Sequence, residues 1–245
     1  MKDDRFSRTP GLVLRSVQYK EASRILTVLT PEHGKITVTA NSAVRKNSKV
    51  APVVQQFAYS DMLLSVSKGM YYLTEGAVIE QFSGLSGELS SVALACYLAQ
   101  LTESIADEDS VTTDPLRIML NALFALSEGL YSHAVIKSAT ELRLIAAAGF
   151  MPETACCVRC GSVEVTAFSA ELGGGLCGEC AVRTADAAAL SGSALGAMRH
   201  VLSCGLKKLY SFPPDAAEEL APLAENYVLT KCERGFSTLD YYKSL

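Results

Sequence analysis

Five of the chain's eight cysteines fall between residues 156 and 180, in the order Cys156-Cys157-x2-Cys160, sixteen residues, Cys177-x2-Cys180. Such a cluster admits few chemistries, and each implies a different fold around it. A disulfide staple belongs to oxidising compartments and to chains too small to build a core. With 245 residues, this chain can hold one large domain or two to three small ones with cores of their own. Its opening MKDDRFSRTPG is charged where a secretory leader needs an apolar stretch. No run approaches the ~20 uncharged apolar residues of a membrane helix. The expected compartment is the reducing cytoplasm, where the segment reads as metal-binding or catalytic.

A redox Cys-x-x-Cys needs one solvent-facing pair, usually opening a helix in a βαβ setting. Two pairs are present here, without a βαβ pattern. Four thiolates at Cys157, Cys160, Cys177 and Cys180 match the tetrahedral demand of structural zinc, each pair folding into a knuckle with sulfurs about 2.3 Å from one ion. Gly161 and Gly178 follow Cys160 and Cys177, where a residue without a Cβ is favoured, and LGGGL lets the chain reverse into the second pair. Redox chemistry and unpaired thiols are the weaker readings. Cys156-x3-Cys160 is also an acceptable zinc spacing; the symmetrical knuckle favours Cys157 and leaves Cys156 spare. Four sulfurs leave no open position for water, so the ion holds shape rather than catalyses. Cys96, Cys204 and Cys232 lie in helical apolar patterns and read as small core residues.

Around this segment the apolar period changes. GLVLRSV, SRILTVLT, GKITVTA, FAYSDMLLSVS and YYLTEGAVIE are short β-branched or apolar runs, separated by turn chemistry that includes Gly34 in TPEHGK. Five strands before residue 80 predict a small closed barrel. From the Gly/Ser-rich boundary near residue 84 the period is helical: SSVALACYLAQLTESIADED, then DPLRIMLNALFALSEG with Asp114 as N-cap, then SHAVIKSATELRLIAAAGF from Ser132 to Gly149. Helices resume after the cysteines, capped by Ser191 and Asp215, with Pro222 expected to kink or break the longest and FSTLDYYKSL adding a last turn. The class is α+β multidomain: a barrel at 1–80, a helical bundle at 81–152 and 184–245, and the four-cysteine finger inserted at 153–183.

No nucleophile–base spacing, phosphate loop or dinucleotide fingerprint occurs, and His33, His133 and His200 are scattered over a turn and two helices. The acidic ADEDS reads as a solvated helix end. No residues carry an enzyme hypothesis. Net charge is −4, but residues 1–80 hold +4 and residues 81–245 hold −8, which suggests two modules with different partners. The barrel carries Arg15, Lys20, Arg24, Lys35, Arg45, Lys46 and Lys49, interleaved with Tyr19, Phe57, Tyr59, Tyr71 and Tyr72. Cations beside stacking rings are how small barrels hold single-stranded nucleic acid. In the blander reading the lysines are only solvated, while Phe57 and one of Tyr71 and Tyr72 fill the core.

GLVLRSVQYKEASRILTVLTPEHGKITVTANSAVRKNSK, AAAGFMPETACCVRCG, FSAELGGGLC, CGEC and the closing YYKSL together resemble the bacterial recombination mediator family RecO, in its zinc-bearing variant, over essentially the whole chain. The resemblance implies an OB-fold barrel, a helical bundle and an inserted zinc finger. It also implies a non-enzymatic, cytoplasmic and nucleoid-associated activity: binding single- and double-stranded DNA, annealing complementary strands, and helping load recombinase onto strands coated by single-stranded-DNA-binding protein. The implied partners are RecR, sometimes RecF, and the acidic C-terminal tail of the single-strand-binding protein, docking on the helical domain. Arg199, Lys207 and Lys208 beside Leu206, Leu209 and Tyr210 are the expected pocket for that tail. The chain departs from the family after the third strand, where Asn41 and Ser42 replace a basic residue and a glycine. The rival reading is a scaffold in which barrel and bundle bind only proteins and zinc stabilises the spacer.

Overall fold

The computed structural model describes residues 6–108 and 113–245. The charged start, residues 1–5, and residues 109–112, into which the acidic run extends, lie outside the described residues. Phe6–Tyr19 (β1), Ser23–Thr30 (β2), Gly34–Ala40 (β3), Tyr59–Ser67 (β4) and Met70–Glu80 (β5) close into an OB-like barrel in the order β1-β2-β3-β5-β4. β3 and β5 are the parallel neighbours, pairing Val38 with Tyr71 and Thr39 with Tyr72. Alternate side chains on each strand fill the interior: Leu26 and Val28, Ile36 and Val38, Met62 and Leu64, with Val13 and Leu73. β1 is longer than its apolar run because it pairs with both β2 and β4, bending at a bulge between Val13 and Arg15.

The segment between β3 and β4 has no helix or strand, but its later part packs on the barrel core. Ala43, Val53, Val54 and Phe57 are buried, while exposed residues cluster around Arg45, Lys46 and Lys49 and recur at Pro52, Gln55 and Gln56. Phe57 and Tyr71 take the core roles while Tyr72 points outward, as its pairing with outward Thr39 requires. Ser42 holds φ +56°. That left-handed conformation costs a residue with a Cβ about 1 kcal/mol, at the position where the family pattern has glycine. Ser42→Gly is therefore expected to stabilise the chain by about 0.5 kcal/mol once the extra freedom of the unfolded state is subtracted. Urea unfolding should show a higher midpoint at unchanged slope; a lower midpoint would show that the Ser42 conformation carries no strain.

The chain forms two compact units: the barrel with Ala99–Ser127, and Glu88–Leu98 with Glu128–Leu245. Helix α1 (Leu89–Ile105) contributes to both, and α2 (Thr113–Ser127) belongs with the barrel. The packing of α2 on β2 explains why SRILTVLT reads as a continuous apolar run: Leu26 to Thr30 are buried on both faces.

The second unit centres on α3 (His133–Ala147), packed against α5 (Gly192–Ser203) and α6 (Pro214–Cys232), with α7 (Ser237–Lys243) at the end. Ser132 and Ser191 cap α3 and α5, each accepting from an N–H in the first turn. Asp114 and Asp215 lie inside the first turns of α2 and α6 rather than capping them. Contrary to the sequence expectation of a possible break, α6 runs unbroken through Pro222. Its apolar face, from Ala216 to Val228, is held against α3, and that packing outweighs one missing backbone bond.

Nothing in the sequence marked the polar centre of this unit. Lys137 is buried, with Nζ 2.8 Å from Glu141 and 2.9 Å from Glu225, while Lys243 of α7 reaches Glu225 at 2.6 Å. The Tyr97 hydroxyl donates to Glu141 Oε1 at 2.6 Å, and Oε2 meets no donor. Burial pushes the Glu141 carboxyl above the ordinary range despite Lys137 and Tyr97. At Glu225 burial acts the same way, but Lys137 and Lys243 outweigh it and hold the carboxyl low. Lys137→Met strips buried Glu141 of its cation and leaves Glu225 with Lys243 alone, and is expected to cost about 3–5 kcal/mol. The double change Lys137→Met, Glu141→Leu should recover part of that; a single-variant loss under about 1 kcal/mol would mean the carboxylates are effectively solvated.

Candidate nucleic-acid interface and metal centre

The seven barrel cations are not equivalent. Arg15 on β1 donates to Glu103 Oε1 at 2.8 Å, and Lys35 on β3 donates to the Glu103 carbonyl at 2.8 Å. Both are engaged by the helical segment packed on the barrel. Arg24 shares its register position with Ala40, whose side chain is in the core, so it lies at the barrel end rather than on the outer face. Its Nη1 donates to Ser16 Oγ at 3.1 Å, and its Nε is buried without a partner.

Lys20, Arg45, Lys46 and Lys49 are exposed and make no ion pair among the described residues. One backbone contact brings most of them together. Val44 N–H donates to Ala22 C=O at 3.2 Å, fastening the start of the β3–β4 loop to the β1–β2 turn. Lys20 in that turn, with its Nζ 5.0 Å from the Tyr19 ring, is thereby placed beside the loop that carries Arg45 and Lys46. Exposed Tyr19 and Val44 lie among these charges. The result is a cationic, partly aromatic barrel end, able to neutralise phosphates and offer ring faces to bases.

The cysteines converge from two short elements. Ala167–Ser169 (β6), Gly174–Leu176 (β7) and Ala188–Ala189 (β8) form a sheet in the order β7-β6-β8, and Cys177 caps the four-residue helix Gly178–Ala181 (α4). The sulfurs of Cys157, Cys160, Cys177 and Cys180 all lie within 4.8 Å of one another, and Cys156 is outside the group. Cys160 Sγ and Cys177 Sγ are 3.6 Å apart. That is far beyond a disulfide and close to the edge of about 3.8 Å that a tetrahedron with 2.3 Å zinc–sulfur bonds requires. Burial would raise the Cys157 thiol, but N–H donors from Cys177, Arg159 and Cys160 bring it down to about 6. Contact with Cys177, together with burial, raises Cys180 to about 12. Four clustered thiols resist ionising together, and a divalent cation removes that conflict.

Backbone conformation sets the knuckles. Gly161 takes φ +79° with open space around it, so its conformation, not its size, calls for glycine. Gly178 does not share that need: it opens α4 with ordinary helical geometry, which corrects the reading of both glycines as equivalent. In the Gly173–Gly175 run Gly173 needs its positive φ of +76°, while Gly174 and Gly175 are held by space. A Cβ on Gly174 would lie 2.7 Å from Glu153 O, and one on Gly175 would lie 2.6 Å from Val165. The apolar core here is small: Cys157, Ala167, Leu176 and Cys177, two ligand pairs contributing half of it.

In the helical unit, Arg199 donates to the Thr154 carbonyl, and Lys207 and Lys208 are exposed on a single 3-10 turn. Leu209 and Tyr210 are buried while Leu206 is half-buried, so two of the three apolar residues of the expected tail pocket are spent in the core. A groove of about 640 Å³ opens instead beside His133, Lys137, Glu225, Tyr242 and Lys243. His33 sits in the β2–β3 turn, His133 opens α3 with Nε2 3.0 Å from Ser91 Oγ, and His200 Nε2–H donates to the Lys208 carbonyl at 2.7 Å. Cys96, Cys204 and Cys232 are half-buried rather than core residues.

A closed five-stranded OB-like barrel joined to a helical unit that carries a tetrathiol cluster defines a narrow class of protein. The family model described as Recombination protein O N terminal matches residues 1–82, and Recombination protein O C terminal matches residues 86–240. Proteins named DNA repair protein RecO are similar along nearly the whole length. That of Acetivibrio thermocellus is 28% identical over 98% of this chain and 97% of its own. Those of Bacillus pumilus and Roseiflexus sp. are each 29% identical, over 90% and 97% of this chain and 87% and 86% of theirs. The chain belongs to the Recombination protein O family of DNA repair proteins.

Proposed function

We propose that this protein is a non-enzymatic DNA-repair mediator that binds single- and double-stranded DNA through the loop end of its barrel and anneals complementary strands. The observation that carries the reading is the Val44–Ala22 bond, which gathers Lys20 with Arg45 and Lys46 beside Tyr19. Two strands repel through their phosphates, and a surface that neutralises several of them lets bases meet. With RecR, and in some settings RecF, the protein would help load recombinase onto strands coated by single-strand-binding protein, whose acidic tail docks on the helical unit. The family membership supports these partners. Cys157, Cys160, Cys177 and Cys180 would hold one structural zinc, which fixes the knuckles and supplies no chemistry. A cytoplasmic, nucleoid-associated site of action fits, and no helix among the described residues is long and apolar enough to cross a membrane. Filter binding of a short oligonucleotide in dilute buffer tests the proposal. Retention that declines steeply with salt is expected; strands left free by metal-replete protein would overturn it in favour of a protein-binding scaffold.

A further inference from the structure

The acidic end of α1, which the sequence presents as a solvated helix end, is laid against the barrel. Lys35 N–H donates to the Asp107 carbonyl at 3.0 Å, and Gly34 pairs with Glu108 in a β-bridge, so the chain leaving α1 runs beside the start of β3. One turn earlier, Glu103 meets β1 and β2. Arg15 Nη2 donates to Glu103 Oε1 at 2.8 Å, Thr27 Oγ1 stands 3.5 Å from both atoms, and Lys35 Nζ donates to the Glu103 carbonyl at 2.8 Å. These residues all belong to one compact unit, the barrel with Ala99–Ser127. A guanidinium, a hydroxyl and an ammonium around one anionic group are the partners a phosphate takes. Here a carboxylate of the same chain has that place.

We propose that Glu103 is an autoinhibitory carboxylate: it fills a phosphate position formed by Arg15 and Thr27 beside Lys35, and an incoming strand must displace it. The inference rests on the DNA-binding reading above and adds its regulation, an acid of the chain itself that caps the affinity. Three observations set this apart from a purely structural tie. The helix end is already fastened through backbone groups, by Lys35 N–H on Asp107, the Gly34–Glu108 bridge and Lys35 Nζ on the Glu103 carbonyl, and none of these needs the carboxylate. The Arg15 side chain is 59% exposed and that of Glu103 24%, so solvent screens the pair and it contributes little to stability. Arg15 can therefore turn from Glu103 to a phosphate by side-chain rotation alone. Charge is the third point. Two cations, Arg15 and Lys35, stand against one contacting carboxylate, and the exposed Asp107 and Glu108 that follow make no ion pair among the described residues. Together the three acids oppose the approach of phosphates to these cations.

The test titrates a labelled single-stranded oligonucleotide with the full chain by fluorescence anisotropy at several salt concentrations. Glu103→Gln keeps the backbone carbonyl for Lys35 and removes only the charge. It is expected to tighten binding about 5-fold near 0.1 M salt and to steepen the slope of log affinity against log salt by about 0.7, the share of one added phosphate contact. Its urea midpoint should stay at the wild-type value. Glu103→Ala, which drops the contact with Thr27 as well, should show the same gain. Adding Arg15→Ala to Glu103→Gln should remove the gain, so that Arg15→Ala costs about 5-fold more in that background than in the wild-type chain. Unchanged or weaker binding in both Glu103 variants, or a gain that survives the loss of Arg15, would overturn the proposal. Failure of the wild-type protein to bind the oligonucleotide would instead overturn the DNA-binding reading itself.

Discussion

Replacing Lys20, Arg45, Lys46 and Lys49 together with alanine is expected to weaken single-strand binding by about 10²- to 10³-fold near 0.1 M salt. Each phosphate neutralised contributes about −0.7 to the slope of log affinity against log salt on single strands, so each lost contact costs about 5-fold at that concentration. The slope should flatten by up to about 2.8 if all four cations touch phosphate. These four are the informative set because they carry no ion pair among the described residues, and all are exposed on turns. Arg15 provides the internal control. Its guanidinium is already engaged by Glu103 at 2.8 Å, so Arg15→Ala should change the slope far less. An unchanged slope in the fourfold variant would place the DNA contact elsewhere on the molecule.

Removal of the ion should have the largest structural effect. On the zinc proposal, a strong chelator or Cys177→Ser is expected to abolish the fold of the segment from Glu153 to Leu190. Its own buried cluster is Cys157, Ala167, Leu176 and Cys177, with Val165, Phe168, Ala170 and Leu190 also buried, and its sheet has strands of two or three residues. That apolar area cannot offset the ordering entropy of so long an excursion, whereas zinc held by four thiolates contributes on the order of 10 kcal/mol. Hydrogen exchange read by peptide should show Cys157–Gly161 and Ala167–Ser169 losing protection while the barrel strands keep theirs. Metal analysis should give about one zinc per chain for wild type and for Cys156→Ser, and none for Cys177→Ser. Retained protection after chelation, or a metal-replete sample without zinc, would sink the assignment; loss of zinc in Cys156→Ser would make Cys156 a ligand.

The strand positions were readable because each depends on a short pattern. The runs 23–30 and 34–40 coincide with β2 and β3, and their apolar patterns marked them as strands. The helix starts at Ser132 and Ser191 were equally local, each being one side chain and one N–H three residues on. Asp114 and Asp215 misled because an acid beside proline suits a first turn as well as a cap. The break at Pro222 did not occur because the cost of a lost bond is local while the packing that outweighs it comes from α3.

The sequence alone determined the barrel, the helical remainder and the choice of four thiols, since periodicity and Cys-x-x-Cys spacing act over a few residues. Tertiary structure decided which cations are free. Glu103 reaches back to Arg15 and Lys35, and Val44 fastens one loop to a turn. It also buried Leu209 and Tyr210 and enclosed Lys137 between Glu141 and Glu225. These partners lie far apart along the chain, and what a charge does depends on the neighbour that folding supplies.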